Sequence, residues 1–450
     1  MPGAQEHTSR NIVNPVPAPE FLLTFGLMPP PHDFHQVVDT KKFEKGMDSS
    51  DGFEVYSEYD HVTFNDLPFV IGPKTFLSTC SVSSRSGSTR YSPAYILNPS
   101  TGEDSVPYLK YSWRTRGKNR KNEWEIYQEL CLHHVHVRTI PKTLSGEDLS
   151  GDHHHPTSTQ EFMALSRSRY QPRFRTSQRF RLVIDLLDCH LQNVGNIRNA
   201  VIGIRDAAHA QVDVAEKAKI IHRDISPENI MVRIHCVDEQ KIIVGYLIDW
   251  DVAVDPEVVG AKVHPIERVG TWYFVAARLI PEHDEPIPRH NRLDDIESLF
   301  NVLVYIASHF APHRWGSSME LTTFIWNYFY LGTSKTTFIL TQGSQLAAKL
   351  LNNLLGEIIR YLASALAARY PQIIKKNVYN FFLNPGDIID ALDASPPPAP
   401  DLGVLINPRW FVIVLNNALK LDGWDNNNLL VKHSPPDMLG INFKVGYLID

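Results

Sequence analysis

Cysteine is scarce: the 450 residues include four, Cys80, Cys131, Cys189 and Cys236, far apart and without a CxxC spacing. That excludes a disulfide framework and a clustered zinc site, and favours a reducing compartment. Long apolar runs are missing as well. No stretch reaches the roughly 18 apolar residues that a membrane span needs, and the opening MPGAQEHTSRNIVNPVPAPE has no apolar core of the secretory kind. The expectation is a soluble cytoplasmic or nuclear protein with no membrane partner. Excess positive charge is also lacking, with 44 Lys and Arg against 50 Asp and Glu. A net charge of −6 supplies no basic field for nucleic acid. The remaining composition is ordinary for a globular protein, 43% hydrophobic and 21% charged, in a chain long enough for one large or two medium cores.

Residues 1 to 60, rich in Pro, His and Asp, read as an N-terminal extension. From there to about 130, the β-leaning runs TFLSTCSV, YSPAYIL and VPYLKYSW are separated by turn residues and followed by NEWEIYQEL, where Glu123, Ile126 and Leu130 share a helical face. This predicts a small sheet and one helix. The polar stretch 141 to 178 reads as a surface insertion, and FRLVIDLLD as a returning strand. Beyond residue 197 the periodicity is helical at Val201, Ile204, Ala208 and Val212, then strand-like in KIIHRD and in the pair NIMVRI and VGYLID. Leu293, Ile296, Leu299, Phe300, Leu303 and Ile306 predict a further helix, and QLAAKLLNNLLGEIIRYLASAL another. The run SPPPAPD marks a loop before a C-terminal extension or tail.

The strongest chemical signal is His222-Arg223-Asp224-Ile225-Ser226-Pro227-Glu228-Asn229, which fits HRDxxxxN. Phosphoryl transfer needs a carboxylate beside the attacking hydroxyl and an oxygen ligand for a magnesium on the phosphates, and a short loop presents both. Twenty residues on, the apolar run Leu247-Ile248 ends in Asp249-Trp250-Asp251, resembling a DFG metal site with Trp for Phe and Asp for Gly. An Asp in place of that glycine tolerates positive φ less readily. Gly270-Thr271-Trp272-Tyr273-Phe274-Val275-Ala276-Ala277-Arg278 resembles the end of a kinase activation segment, with Arg278 replacing the glutamate of the APE motif. The usual anchoring ion pair is then absent or rebuilt with another partner. Asp295, in a D-x-x-S frame, is expected to accept hydrogen bonds from the backbone beside Asp224.

Upstream, Lys110 on a strand and Glu123 on the following helix can pair, holding the ammonium against the α- and β-phosphates. Glu125 is the competing choice, but Glu123 puts Ile126 at the next turn of the buried face. The phosphate-covering loop, Ser86-Gly87-Ser88-Thr89-Arg90, has a single glycine, so its N–H groups approach phosphate less closely. His153, His154 and His155 lie in the polar insertion without a nearby cysteine and read as a solvated loop.

Taken together, LKYSW, NEWEIY, RLVID, KIIHRDISPENI, GYLIDWDVA, GTWYF and DDIESLF resemble the fungal-type protein kinase domain family over about residues 60 to 365. Ser226 where most Ser/Thr kinases carry lysine, and the Asp-Trp-Asp triplet, are familiar in that family. The resemblance implies an α+β bilobal fold: a small, mainly antiparallel β lobe with one helix over 61–187, and a larger, mainly helical lobe over 188–370. It further implies ATP and Mg2+, and phosphate transfer to protein hydroxyls. Asp224, Arg223, Asn229, Lys110, Glu123 and Thr271 would carry the chemistry. Lys110, Gly87, Ser88, Thr89, Asn229 and Asp249 would hold the nucleotide, and Asn229 and Asp249 the metal. Thr271 and the absence of a tyrosine-kinase Ala-Ala-Arg in the catalytic loop point to Ser/Thr acceptors. A small-molecule kinase of the aminoglycoside or choline type shares part of the loop pattern, and the sparse glycine loop with Arg278 also fits a pseudokinase scaffold.

One expectation concerns regulation. Residues 252–269, VAVDPEVVGAKVHPIERV, contain no Ser, Thr or Tyr to phosphorylate. Arg223 would then remain unpaired, be solvated, or meet a fixed carboxylate such as Glu257 or Glu267 in place of a phosphate.

Overall fold

The computed structural model describes the strands within residues 60–115; 121–148 apart from 133, 134 and 138; 177–256 apart from 186, 238 and 239; 270–280; 288–370 apart from 333; and 408–424 with 429–431. Extended runs rich in aromatic and β-branched residues build an antiparallel sheet of seven strands, β1 (Asp60–Phe64), β2 (Leu67–Ile71), β3 (Thr75–Leu77), β4 (Thr89–Ile96), β5 (Pro107–Thr115), β6 (Thr143–Asp148) and β7 (Ser177–Asp185). Its order is β1-β2-β4-β5-β7-β6, with β3 on β4. The longest register, Pro107↔Asp185 to Thr115↔Ser177, makes β5 an interior strand, so Lys110 sits on a rigid support.

Helix α1 (Glu123–Cys131) starts at Asn122, whose side chain accepts from the Glu125 N–H while Glu125 accepts from the Asn122 N–H. This capping box sends Glu125 outward and rotates Glu123, Ile126, Tyr127 and Leu130 into the interior. After the two-residue strand β8 (Cys189–His190), α2 (Ile197–Lys217) begins at the Asn196 cap and buries Val201, Ile204, Ala208 and Val212 as the periodicity predicts. It packs on the hairpin β9 (Ile230–Val237) and β10 (Gln240–Leu247) at a glycine contact: a Cβ on Gly245 would stand 2.5 Å from the Gly203 carbonyl oxygen.

The rest is helical: α3 (Arg292–Phe310), α4 (Ser318–Ile325) running into a π-helical turn at Trp326–Tyr330, α5 (Lys335–Leu340), α6 (Ser344–Ala347), α7 (Asn353–Ala367) and α8 (Arg409–Ala418). Helix α3 is buried almost all round, as befits a central element. Among the described residues no helix is long and apolar enough to cross a membrane.

Several expectations need correcting. The stretch 141–178 is not all insertion, because Thr143–Asp148 pairs with β7 and belongs to the sheet. KIIHRD is no strand: Ile221 makes one isolated bridge to Val254, and left-handed Lys219 (φ 60) and Arg223 (φ 75) end the extension on both sides. The run from Gln345 breaks into α6 and α7, since the Leu351 N–H turns to the Pro312 carbonyl and Asn352 caps a new start through the Leu355 N–H. Part of the C-terminal extension is packed: Trp410, Phe411 and Leu415 of α8 join the main core, and α8 lies against α2.

Candidate active site

Asp295, in the first turn of α3, organises the loop after α2. Its carboxylate accepts the backbone N–H of His222 at 2.8 Å and of Arg223 at 3.0 Å, and side-chain N–H groups of Gln211 at 3.1 Å and His290 at 2.9 Å. Burial alone would raise its pKa, but His290, His222 and these donors hold it below the usual range. The His222 ring bonds the Ile248 carbonyl at 3.0 Å and meets Trp250 edge-on at 4.5 Å. The loop is thus held from beneath, with Arg223 at φ 75, a conformation sustained only by its surroundings.

Asp224 comes next in the loop. Its carbonyl accepts from Asn229 Nδ2 at 2.8 Å, and its Oδ1 accepts both the N–H and the hydroxyl of Thr271, each at 2.7 Å. Burial pushes the Asp224 carboxyl up to about 6; the Thr271 hydroxyl opposes this and the Asp249 charge adds to it. Gly270 makes the approach of Thr271 possible. It sits at φ +114, and a Cβ there would lie 2.6 Å from the Arg223 carbonyl oxygen.

The second cluster joins three elements. Lys110 Nζ on β5 donates to Glu123 Oε2 on α1 and to Asp249 Oδ1 after β10, both at 2.6 Å. Glu123 also accepts the Trp250 N–H at 3.1 Å, while the Trp250 indole bonds the Leu247 carbonyl. Glu125, the competing choice, stays in the capping box. Positive φ falls on Asp249 (φ 67) and not on Asp251, so the Gly-to-Asp change at 251 carries no left-handed strain. One ammonium here faces a buried carboxylate, Glu123, and a partly buried one, Asp249. Burial raises Glu123 to about 7 against the pull of Lys110; for Asp249 burial is outweighed by Lys110, which holds it below its ordinary value. Beside this cluster Leu187, Met231 and Ile248 form a small apolar group with Tyr246 against it.

Oxygen donors suit a hard cation such as Mg2+. Asn229 spends its amide N–H on the Asp224 carbonyl, which leaves its amide oxygen to an outside ligand, and Asp249 holds one carboxylate oxygen on Lys110. Asn229 and Asp249 would each offer one oxygen to such a cation.

Beyond Thr271 the chain is pinned by partners that sequence reading did not find. Arg278 pairs with buried Asp294 at 2.5 Å and donates to the Arg289 carbonyl, so the displaced APE pair is rebuilt with reversed polarity. Arg369 bridges Asp294 and Glu297, and Glu297 accepts the Ala277 N–H and the Tyr370 hydroxyl. Lys335 Nζ donates to the Tyr273 and Val275 carbonyls, and Asn301 to those of Phe274 and Val275.

The fold therefore brings Lys110, Glu123, Arg223, Asp224, Asn229, Asp249 and Thr271 to linked positions. Thr89 is the first residue of β4, paired with Leu77. Gly87, Ser88, Glu257, Glu267 and the run from His153 to His155 lie outside the described residues. Gln211, His290, Lys335, Arg369 and Tyr370 were not legible beforehand because each acts on a residue that only the fold brings near; His290, five residues before Asp295, was the nearest to a local signal. Residues 101–307 match the family model described as fungal protein kinase. No curated protein matches the chain.

Proposed function

We propose that this chain, whose residues 101–307 match the family model described as fungal protein kinase, is an ATP- and Mg2+-dependent kinase of bilobal plan that phosphorylates serine or threonine hydroxyls of proteins. The observation that carries the reading is the fixed Asp224 side chain: Thr271 holds its carboxylate and Asn229 its backbone carbonyl, while Lys110, Glu123 and Asp249 are joined a loop away. In the transfer step the acceptor hydroxyl oxygen bonds to the γ-phosphorus, the phosphorus–oxygen bond to the departing ADP breaks, and the hydroxyl proton passes to Asp224. Lys110, held by Glu123, supplies positive charge to the α- and β-phosphates. Asn229 and Asp249 would hold the metal, which when bound neutralises phosphate charge. The apolar group at Met231, Ile248 and Leu187 suits a flat purine ring.

The kinase lobes fall at about 61–187 and 188–370 on this reading. Support for Ser/Thr over Tyr acceptors comes from Thr271, which stands where Ser/Thr kinases carry a threonine beside the catalytic aspartate and here bonds Asp224. The test is transfer of labelled phosphate from ATP to a generic protein substrate, followed by phosphoamino-acid analysis. Wild-type protein is expected to label Ser and Thr, Asp224→Asn to bind nucleotide without transfer, and Asp249→Asn to lose Mg-ATP affinity. Equal ATP affinity in the two variants, or product dominated by phosphotyrosine, overturns the assignments.

A further inference from the structure

Lys335, at the start of α5, is a wholly buried lysine that the proposed phosphoryl chemistry leaves without a role. A lysine is almost never buried completely unless a carboxylate pairs with it. Here the partners of Nζ among the described residues are both backbone, the Tyr273 and Val275 carbonyls, each at 2.9 Å. Glu297, the acid whose charge bears on Lys335, is itself engaged by Arg369 and the Tyr370 hydroxyl. An ammonium carries three N–H donors, one more than the two carbonyls can take, whereas a neutral amine carries two. Burial drives the Lys335 amine down to about 7 against the pull of Glu297, in keeping with that count.

The carbonyls that Lys335 holds lie close to Asp224 through a short chain of bonds. Asn301 on α3 donates to the Phe274 carbonyl at 3.0 Å and the Val275 carbonyl at 3.2 Å, and its own oxygen takes the Tyr328 hydroxyl at 2.7 Å. All three carbonyls from 273 to 275 are thus fixed from two helices. The Phe274 N–H closes back onto the Thr271 carbonyl at 2.9 Å, and Thr271 gives its N–H and hydroxyl to Asp224 Oδ1. On the outer side the Tyr273 ring meets Tyr330, which stacks on Trp326, but Tyr273 and Tyr330 are exposed at 39% and 47%. Hydrogen bonds in the dry interior are electrostatically stronger than those in water, so the buried donors hold the segment more firmly than the exposed rings.

We infer that Lys335 is a positioning residue for the proposed phosphate transfer: by fixing the Tyr273 and Val275 carbonyls it seats Thr271 on Asp224. The inference rests on the kinase reading and adds to it a group that acts only through Thr271. Reach explains the residue type, since one flexible four-carbon stem brings a single nitrogen to two carbonyls of the same segment.

The experiment compares Lys335→Met, which keeps length and apolar volume and removes the donors, with Lys335→Gln, which keeps an N–H pair one atom nearer the backbone. Phosphate transfer from ATP to a generic protein substrate is followed across pH, with nucleotide titration and a thermal melt of the same proteins. Lys335→Met is expected to lower kcat about tenfold and to leave ATP affinity within about twofold. Its acid limb should move to higher pH, because loosened Thr271 bonds no longer oppose the raised Asp224 pKa; Asp249 and Glu228, whose charges also raise it, stay in place. Lys335→Gln should recover part of the rate. In the double variant Lys335→Met with Thr271→Val, kcat should fall no further than in Thr271→Val alone, the non-additivity of two residues acting through one contact. An unmoved limb, or losses that multiply in the double variant, makes Lys335 purely structural and overturns the inference while the kinase reading stands. Absence of transfer by the wild-type protein overturns the kinase reading and the inference with it. If Lys335→Met does not fold, Lys335→Gln decides by the same limb and the same double-variant comparison.

Discussion

Asp224 shows how a single residue carries both geometry and pH response. Its pKa, raised to about 6 by burial, sets the direction: on the proposed reading the ionised form accepts the proton, so transfer is expected to fall as pH drops through about 6. At pH 5 roughly a tenth of the plateau rate should remain in a pH–rate profile, if ionisation of this group alone sets the limb. Thr271→Val removes one of the two bonds that oppose the shift and should move the acid limb upward in pH while lowering kcat. An unmoved limb would assign the titration to another group. Arg278 is the second residue-scale case. Arg278→Glu restores the glutamate of the APE pattern yet sets a carboxylate against buried Asp294, which Arg369 also contacts. Because Arg278 is itself partly exposed, about 2 kcal/mol of destabilisation is expected, read as a lower Tm in a thermal melt. An unchanged melting point would mean that the polarity of this anchor does not matter.

At the scale of elements, the Gly270–Thr271 turn decides whether the catalytic loop and the segment after it meet. Gly270→Ala adds a Cβ against the Arg223 carbonyl and forces φ +114 on a residue with a side chain. The expected outcome is a kcat lowered at least tenfold with ATP affinity largely kept, because the change strikes the Thr271–Asp224 contact and not the Lys110 cluster. Parallel loss of ATP affinity in a nucleotide titration would show that the two clusters are not separable. Element types were largely legible from periodicity: α1, α2 and α3 bury the faces that the spacing of Glu123, Val201 and Ile296 announces. The strand β6 was not, because TLSGED lacks the apolar alternation of a strand and is extended only by pairing with β7.

For the whole molecule, the core extends past the segment that matches the family. Helix α8 buries Trp410, Phe411 and Leu415, Arg409 pairs with Asp213 and Glu216 on α2, and residues 429–431 bond back to Gly195 and Phe310. Through α2 this reaches the site, since Gln211 on the same helix donates to Asp295. A chain ended at residue 400 should therefore lose roughly 5 kcal/mol or more, counting about 1.5 to 3 for each of three large apolar side chains. That is much of the 5 to 15 kcal/mol typical of a domain, so poor solubility or a steeply lowered Tm is expected. Arg409→Ala alone, at a partly exposed pair, should change little. A truncated chain as stable as the full one would show α8 to be dispensable.

The sequence by itself determined which residues are candidates for the proposed chemistry. HRDxxxxN, Asp249, the Gly270–Thr271 pair and the choice of Glu123 over Glu125 are all local, because motif spacing and helical phase need no distant partner. Tertiary structure alone decided who holds them. Lys110 and Asp249 are 139 residues apart, and Glu123 and the Trp250 N–H are 127 apart, so no periodicity relates them. The reversed anchor of Arg278 on Asp294, the stack of Tyr330 on Trp326 beside Tyr273 and the docking of α8 arise the same way. The physical reason is common to all: a buried charge or ring takes whichever partner the packed elements bring within reach, and the fold sets that proximity.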